Sequence, residues 1–214
     1  MILSAKYNYI YIRPRKTAST TIQRVLIPSA GPDDVIVTSD TRSLGILQKP
    51  DAEIPKDLLH THMAIAEIRP FIRDEFWNSA FKFASERHPY EKAVSLAYFR
   101  LAKPGLRKRR SGVPWTNFEE CLARVVRQGG CEGYSLYTID GRVILDDVIR
   151  QETLESDLRR IGGKLGFPVP DELPDAKTVH RSDRRSARDI LSADQRQAIY
   201  EARKPEFDYF GYEP

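Results

Sequence analysis

Lys16 is the residue in this chain best suited to chemistry on an anion. It lies in residues 7–23, YNYIYIRPRKTASTTIQ, where an aromatic and β-branched run gives way at Pro14 to Arg15, Lys16, Thr17, Ala18, Ser19, Thr20 and Thr21. An ammonium at the end of a strand can meet negative charge as it develops on a leaving group. The hydroxyls and amides of Thr17, Ser19, Thr20 and Thr21 can bind the same anion, and Arg13 adds a planar donor fork. Arg87 and Ser95 form a second candidate anion pair, an arginine just before a helix and a hydroxyl about two turns into it. His60-Thr61-His62 supplies two imidazoles; on an extended segment both face one way, so that one ring can steady the other as it takes a proton near neutral pH. Two histidines without a neighbouring carboxylate make a poor metal site, so no metal is expected. Lys103, Arg107, Lys108, Arg109 and Arg110 form a basic loop that reads either as solvated charge or as a clamp for an acidic acceptor.

The elements that must position these groups follow from periodicity. Residues 7–12 alternate as a strand, and Ile22, Val25 and Leu26 open a helical period. Strand, hydroxyl-rich turn and helix together present backbone N–H groups and the positive end of a helix to a phosphate. The full GxxxxGK[ST] pattern is absent, so ordinary ATP or GTP hydrolysis is not the first expectation. The competing reading of this stretch is a βα turn with one exposed lysine. A short strand is expected at 35–38. Residues 58–62 read as a short strand or as the lead into a helix over 64–72, which Pro70 kinks or ends. A second strand–turn–helix unit runs from the alternating 80–85, through Glu86-Arg87-His88, into a helix over 90–101 with Pro89 at its start.

Helices are further expected over 115–128, over 153–165 with a stop at Gly166, and after Ser192, which caps the last one. Asp140-Gly141 predicts a hairpin between strands at 134–139 and 143–148. The aromatic tail, DYFGYEP, is expected to dock back on the core. With 214 residues, no internal repeat and no linker, the chain reads as one α/β domain over 1–214, P-loop-like, with a central mainly parallel sheet flanked by helices.

A net charge of +4 and a pI near 9.0 suit an anionic ligand but are too weak and dispersed to argue for nucleic acid. Cys121 and Cys131 fit no zinc spacing and read as reduced thiols. No apolar run reaches the roughly 18 residues of a membrane span, and no secretory leader is evident. The expected location is the cytoplasm.

Four motifs in order carry a resemblance. Residues 11–21, YIRPRKTASTT, resemble the 5′-phosphosulfate loop of sulfotransferases that use 3′-phosphoadenosine 5′-phosphosulfate (PAPS), especially the heparan sulfate and uronyl 2-O-sulfotransferases. Residues 86–99, ERHPYEKAVSLAYF, are similar to the 3′-phosphate motif of that family, His60-Thr61-His62 to its HxH pair, and 103–121, KPGLRKRRSGVPWTNFEEC, to its acceptor loop. The resemblance implies PAPS as donor, with Arg15, Lys16, Thr17, Ala18, Ser19, Thr20 and Thr21 around the 5′-phosphosulfate and Arg87 and Ser95 at the 3′-phosphate. It implies His62 as general base with His60 assisting, and Arg13, Lys103, Arg107 and Lys108 facing a carbohydrate acceptor such as a uronic-acid glycan. It also suggests a trimer. Arg15 stands where the family has proline, and Lys103 and Lys108 stand where it has arginines, which weakens bidentate recognition of a uronate. The competing functions are a nucleotide kinase, which would need Mg²⁺ ligands, and a non-catalytic binder of acidic polysaccharide or nucleic acid.

Overall fold

A computed structural model describes residues 1–102, 117–174 and 181–214. In chain order its strands and helices begin with β1 Ile2–Ser4, β2 Tyr9–Ile12, α1 Ser19–Leu26, β3 Val35–Ile36, α2 Ile65–Ile68, α3 Asp74–Ser79 and β4 Phe81–Glu86. They continue with α4 Pro89–Ala102, α5 Phe118–Arg127, β5 Thr138–Ile139, β6 Arg142–Val143, β7 Asp147–Arg150, α6 Leu154–Leu165, α7 Ala187–Ile190 and α8 Ala193–Phe210. The chain forms two compact units, residues 1–86 with 133–174 and residues 87–132 with 175–214.

Unit 1 is an α/β body around a five-stranded sheet in the order β3-β1-β2-β4-β7. β2, β4 and β7 are parallel neighbours, with Tyr11 opposite Phe83 and Ala84 opposite Val148. β1 runs against both β2 and β3, so every strand but β1 points the same way. The sheet is therefore mainly parallel, and helices pack on it. All four residues of β2 are buried, as a central strand covered on both faces requires. Tyr9 and Tyr11 share one face with Phe83, at ring distances of 5.4 and 5.1 Å. There they meet Ile22, Val25 and Leu26 of α1 and Leu158 and Ile161 of α6, the apolar periods visible in the sequence.

β1 was not foreseen. Residues 7–12 were expected to form the opening strand, whereas the ladder starts at Tyr9 and Ile2–Ser4 forms a separate strand folded back on it. Asn8, in the left-handed region at φ 52°, makes the turn between them, a conformation asparagine tolerates better than most residues. Pro70 does end the helix, which is only Ile65–Ile68 before a 3₁₀ turn takes over. α3 was also missed. The hairpin at Asp140-Gly141 is present with both residues at positive φ, but its strands are two residues each, and Asp147–Arg150 joins the main sheet instead.

Unit 2 is helical. α4, α5, α7 and α8 enclose Ala93, Val94, Ala97, Leu122, Val125, Ile199 and Phe207. Asn117 caps α5 by accepting from the Glu120 amide at 2.9 Å, and Ser192 with Gln195 forms a capping box on α8. Pro205 has no N–H for the helix ladder, and α8 breaks its helical geometry at Arg203. Beyond that break the tail does dock, with Phe207 and Phe210 buried. Inside the unit, Lys92 and Glu206 form an ion pair of 2.9 Å at 0 and 1% exposure.

The aromatic layer under β2 and β4 should dominate the stability of unit 1. Phe83→Ala is expected to cost about 3–5 kcal/mol, whereas Ile46→Ala, at a side chain 55% exposed, should stay within about 0.5 kcal/mol. Denaturant titration of both variants measures this, and equal midpoints would refute it.

Candidate functional site

The carboxyl ends of β2 and β4 lie side by side in parallel register, Ile12 opposite Ala84. In open α/β sheets this is where loops build ligand sites. Residues 13–18 leave β2 here and turn into α1. Lys16 and Ala18 both adopt the left-handed conformation, at φ 66° and 58°, with Thr17 between them outside that region. Neither is glycine, so each carries a backbone penalty of about 1–3 kcal/mol that its surroundings must offset.

Thr17 provides the hold. Its side chain is fully buried, and its hydroxyl lies 2.7 Å from Ser85 Oγ while donating to the Pro14 carbonyl at 3.2 Å. Ser85 in turn meets the Tyr11 hydroxyl at 2.9 Å. Burial pushes the Tyr11 phenol well above its usual range, so it stays protonated. The Thr17 hydroxyl is thus committed to the core, and what Thr17 can offer a ligand is its amide. Sequence reasoning missed Ser85, although a serine in step with Phe81 and Phe83 along the strand was a signal.

α1 starts without a side-chain cap, its Ncap being Ala18. The Thr21 and Ile22 amides bond back to the Ala18 carbonyl at 2.9 and 3.3 Å, while the amides of Ser19 and Thr20 belong to the first turn, which has no intrahelical acceptors to give them. Thr21 Oγ1 is buried and has no hydrogen-bond partner among the described residues. Arg13 reaches into the same turn. Its Nε donates to Ser19 Oγ and its guanidinium to Thr20 Oγ1, both at 3.3 Å. It meets no carboxylate among the described residues, and burial lowers its pKa from the usual value. A half-buried guanidinium held only by hydroxyls, beside an uncapped helix start, is a setting in which an anion is stabilised. Lys16 is half-buried and Arg15 exposed.

His62 joins this cluster. Its Nδ1 lies 2.8 Å from the Arg13 carbonyl oxygen, which can only accept, so Nδ1 carries the proton and the neutral ring keeps its lone pair on Nε2. Burial first, then the charges of Arg15 and Arg13, lower its pKa to about 4 against the Arg13 hydrogen bond that raises it. At neutral pH the ring is an uncharged base. Of the two readings of 58–62, the strand is not formed and the lead into a helix is, since α2 follows at Ile65–Ile68. Residues 61–62 lie in a turn, and the Met63 amide donates to the His60 carbonyl at 3.2 Å. The period-two geometry that would point both rings one way is therefore absent; His60 is exposed while His62 is half-buried.

Arg87 and Ser95 belong to unit 2. Arg87 donates to Glu91 at 2.8 Å, one turn along α4. Ser95 is half-buried in the same helix. Arg181, in a charged segment to which the sequence assigned no role, donates to the same Glu91 oxygen at 2.6 Å. Lys103, Arg107 and Lys108 lie outside the described residues. Among the described residues no cluster of three His, Cys, Asp or Glu could hold a metal ion, and no helix is long and apolar enough to cross a membrane.

No protein-family model and no curated protein matches the chain. Among solved structures it is similar to a mouse sulfotransferase, SULT7A1, complexed with PAP. The TM-score is 0.49 at 13% identity, over 96% of this chain and 86% of that one. Likeness at this level bears on neither activity nor the role of any residue.

The His62 geometry fixes a titration. Because its folded pKa of about 4 lies below the ordinary value of 6.5, the unfolded chain takes up a proton first as pH falls. The stability conferred by neutral His62 is fully present above pH 6.5 and is lost as pH falls towards 4. Imidazole NMR should place the His62 midpoint near 4. His62→Gln should flatten the loss of thermal stability over that interval. A midpoint at or above 6.5 would contradict the assignment.

Proposed function

We propose that this chain is a PAPS-dependent sulfotransferase that moves a sulfuryl group to an acceptor hydroxyl. The observation that carries the reading is His62: an imidazole with Nδ1–H held on the carbonyl of Arg13, whose guanidinium reaches the first turn of α1, which leaves Nε2 as the basic atom. A cradle alone serves any phosphate ligand. A cradle with an oriented base serves transfer to a hydroxyl.

On this reading Lys16 and the loop amides over 15–21 receive the 5′-phosphosulfate. The acceptor oxygen attacks sulfur in line, its proton passes to His62 Nε2, and the bond from sulfur to the bridging phosphate oxygen breaks. Lys16 and Arg13 meet the charge that develops on that oxygen. The work is positioning and electrostatics, as in phosphoryl transfer. The fit of the donor rests on the left-handed pair Lys16 and Ala18, the uncapped start of α1, and Arg13, whose side-chain partners among the described residues are hydroxyls. Arg87 and Ser95 are assigned to the 3′-phosphate. His60, being exposed, is assigned to the acceptor side rather than to steadying His62.

The finer reading follows the sequence resemblance. The acceptor is a carbohydrate, a uronic-acid glycan in the first instance, recognised through Lys103, Arg107 and Lys108. The whole chain acts as one cytoplasmic catalytic domain, in a trimer if the resemblance extends to assembly.

Calorimetry with adenosine 3′,5′-bisphosphate, with ADP as the control, tests the donor. Binding that prefers the bisphosphate and weakens in Arg87→Ala is expected; no preference over ADP would overturn the reading. With PAPS and an acceptor in hand, His62→Ala should lose about 10²–10⁴-fold in turnover. Lys16→Ala should lose about 10²–10³-fold in turnover with little change in bisphosphate affinity. Turnover near that of the parent in either folded variant would remove that residue from the mechanism.

A further inference from the structure

Glu86 is a carboxylate buried where a central strand would ordinarily carry an apolar side chain. It is the last residue of β4, fully enclosed, and directly follows Ser85. Successive side chains of a strand point to opposite faces. Ser85 holds Thr17 and the loop after β2 on one face, so Glu86 looks to the other. There its Oε2 accepts the Tyr137 hydroxyl at 2.7 Å, and Tyr137 is fully buried as well. Tyr137 closes the 3₁₀ turn Tyr134–Tyr137, which packs with β5 against α2. α2 in turn begins three residues after His62.

We propose that Glu86 and Tyr137 are positioning residues, which hold the α2 segment against the sheet and so keep the His62 ring on the Arg13 carbonyl. For its effect on turnover the inference rests on the base role given to His62 above. For the placing of the ring it stands by itself.

α2 is a single turn of four residues, too short to be stable alone, so its place is set by what it packs on. Ile65 and Ile68 are fully buried, but apolar contact is non-directional and lets one surface slide over another. A hydrogen bond between two enclosed groups fixes a distance and an angle. The strand end of this bond is itself fixed, because Glu86 pairs in register with Arg150 of β7 in the ladder that also joins β4 to β2. A buried carboxylate works against stability, whereas an apolar side chain of similar size would not. What the carboxylate adds is definition of one arrangement. The last two residues of β4 thus fasten the two halves of the site from opposite faces, the loop through Ser85 and the histidine segment through Glu86.

The charged groups that act on the His62 ring are Arg15, Arg13 and the Met1 amino group, and burial outweighs them in holding its pKa down. A ring that loosens and meets water therefore titrates higher. The test is imidazole NMR on the full chain, which needs neither nucleotide nor acceptor. Tyr137→Phe removes one hydroxyl and keeps the aromatic ring. It should raise the His62 midpoint from about 4 by about one pH unit, and speed exchange of the Nδ1 proton. Glu86→Gln keeps an acceptor oxygen for Tyr137 and should leave the midpoint near that of the parent. A role in stability alone would lower the thermal midpoint of Tyr137→Phe and leave the His62 midpoint where it was, which would overturn the inference. Leu158→Ala, on the face of the sheet that carries Phe83 and Ser85, supplies that pattern as the control. A midpoint that falls in Glu86→Gln would show the Glu86 charge acting on the ring through space, and would overturn it also.

If Tyr137→Phe does not fold, Glu86→Leu carries the same expectation. With PAPS and an acceptor, Tyr137→Phe should lower turnover about tenfold with little change in KM for PAPS. Absence of activity in the parent would remove the sulfotransferase reading and leave the NMR result standing. An unmoved midpoint with the parent active would remove the inference and leave that reading. The two failures are therefore distinguishable.

Discussion

The hydroxyl chain from Tyr11 through Ser85 to Thr17 and the Pro14 carbonyl is the constraint on which the loop after β2 depends. Two non-glycine residues in the left-handed region, separated by one, do not persist in a free loop. Here the residue between them is nailed to β4 by its own side chain, and Ser19 and Thr21 are buried just beyond. Alternating backbone hand tends to turn successive amides towards a common side, which is how short loops make concave anion sites without a glycine-rich sequence. Under the proposed reading, the loop would reach by side-chain anchoring what the GxxxxGK[ST] pattern reaches by glycine. A serine on the neighbouring strand is part of the price.

The same charges that suit the cradle to an anion also set the state of the base. His62 is kept neutral by burial and by the nearby positive charges of Arg15 and Arg13. Arg13 acts twice, through a guanidinium directed at the first turn of α1 and through a carbonyl that orients the imidazole. An anion in the cradle would offset those charges and raise the proton affinity of His62. Anion occupancy of the loop and protonation of His62 would therefore be linked through one residue, Arg13.

The elements that were legible in the sequence are those in which periodicity and a local signal agree. Ile22, Val25 and Leu26 mark α1, Gly166 stops α6 at φ 83°, and Ser192 with Gln195 starts α8. β1 was hidden because three residues are too few to alternate, and all three are buried. Residues 58–62 stayed open between a strand and the lead into a helix because five residues with no clear period fit either, and the turn at 61–62 ahead of α2 settles it for the second. Of the site, the loop and His62 could be named from residue type and order. Arg181 could not, because its part depends on a partner 90 residues away, and Ser85 gave a signal only of burial, its partner Thr17 lying 68 residues off. Residue type announces which groups can act, while long-range hydrogen bonds decide which of them are held still.

The guanidiniums of Arg13 and Arg87 are held on different physical lines. In unit 1 the guanidinium of Arg13 meets hydroxyls and no carboxylate among the described residues, so its charge is held in a poorly solvated place with little to satisfy it. Such a charge acts most strongly on an oxygen whose own charge is growing, which is the requirement at a reacting centre. In unit 2 the guanidiniums of Arg87 and Arg181 are already joined to a carboxylate, which tempers their field and fixes their spacing. A guanidinium already joined to a carboxylate gains less from charge that develops elsewhere. The same side chain type is thus held in two ways, among hydroxyls at Arg13 and on a carboxylate at Arg87.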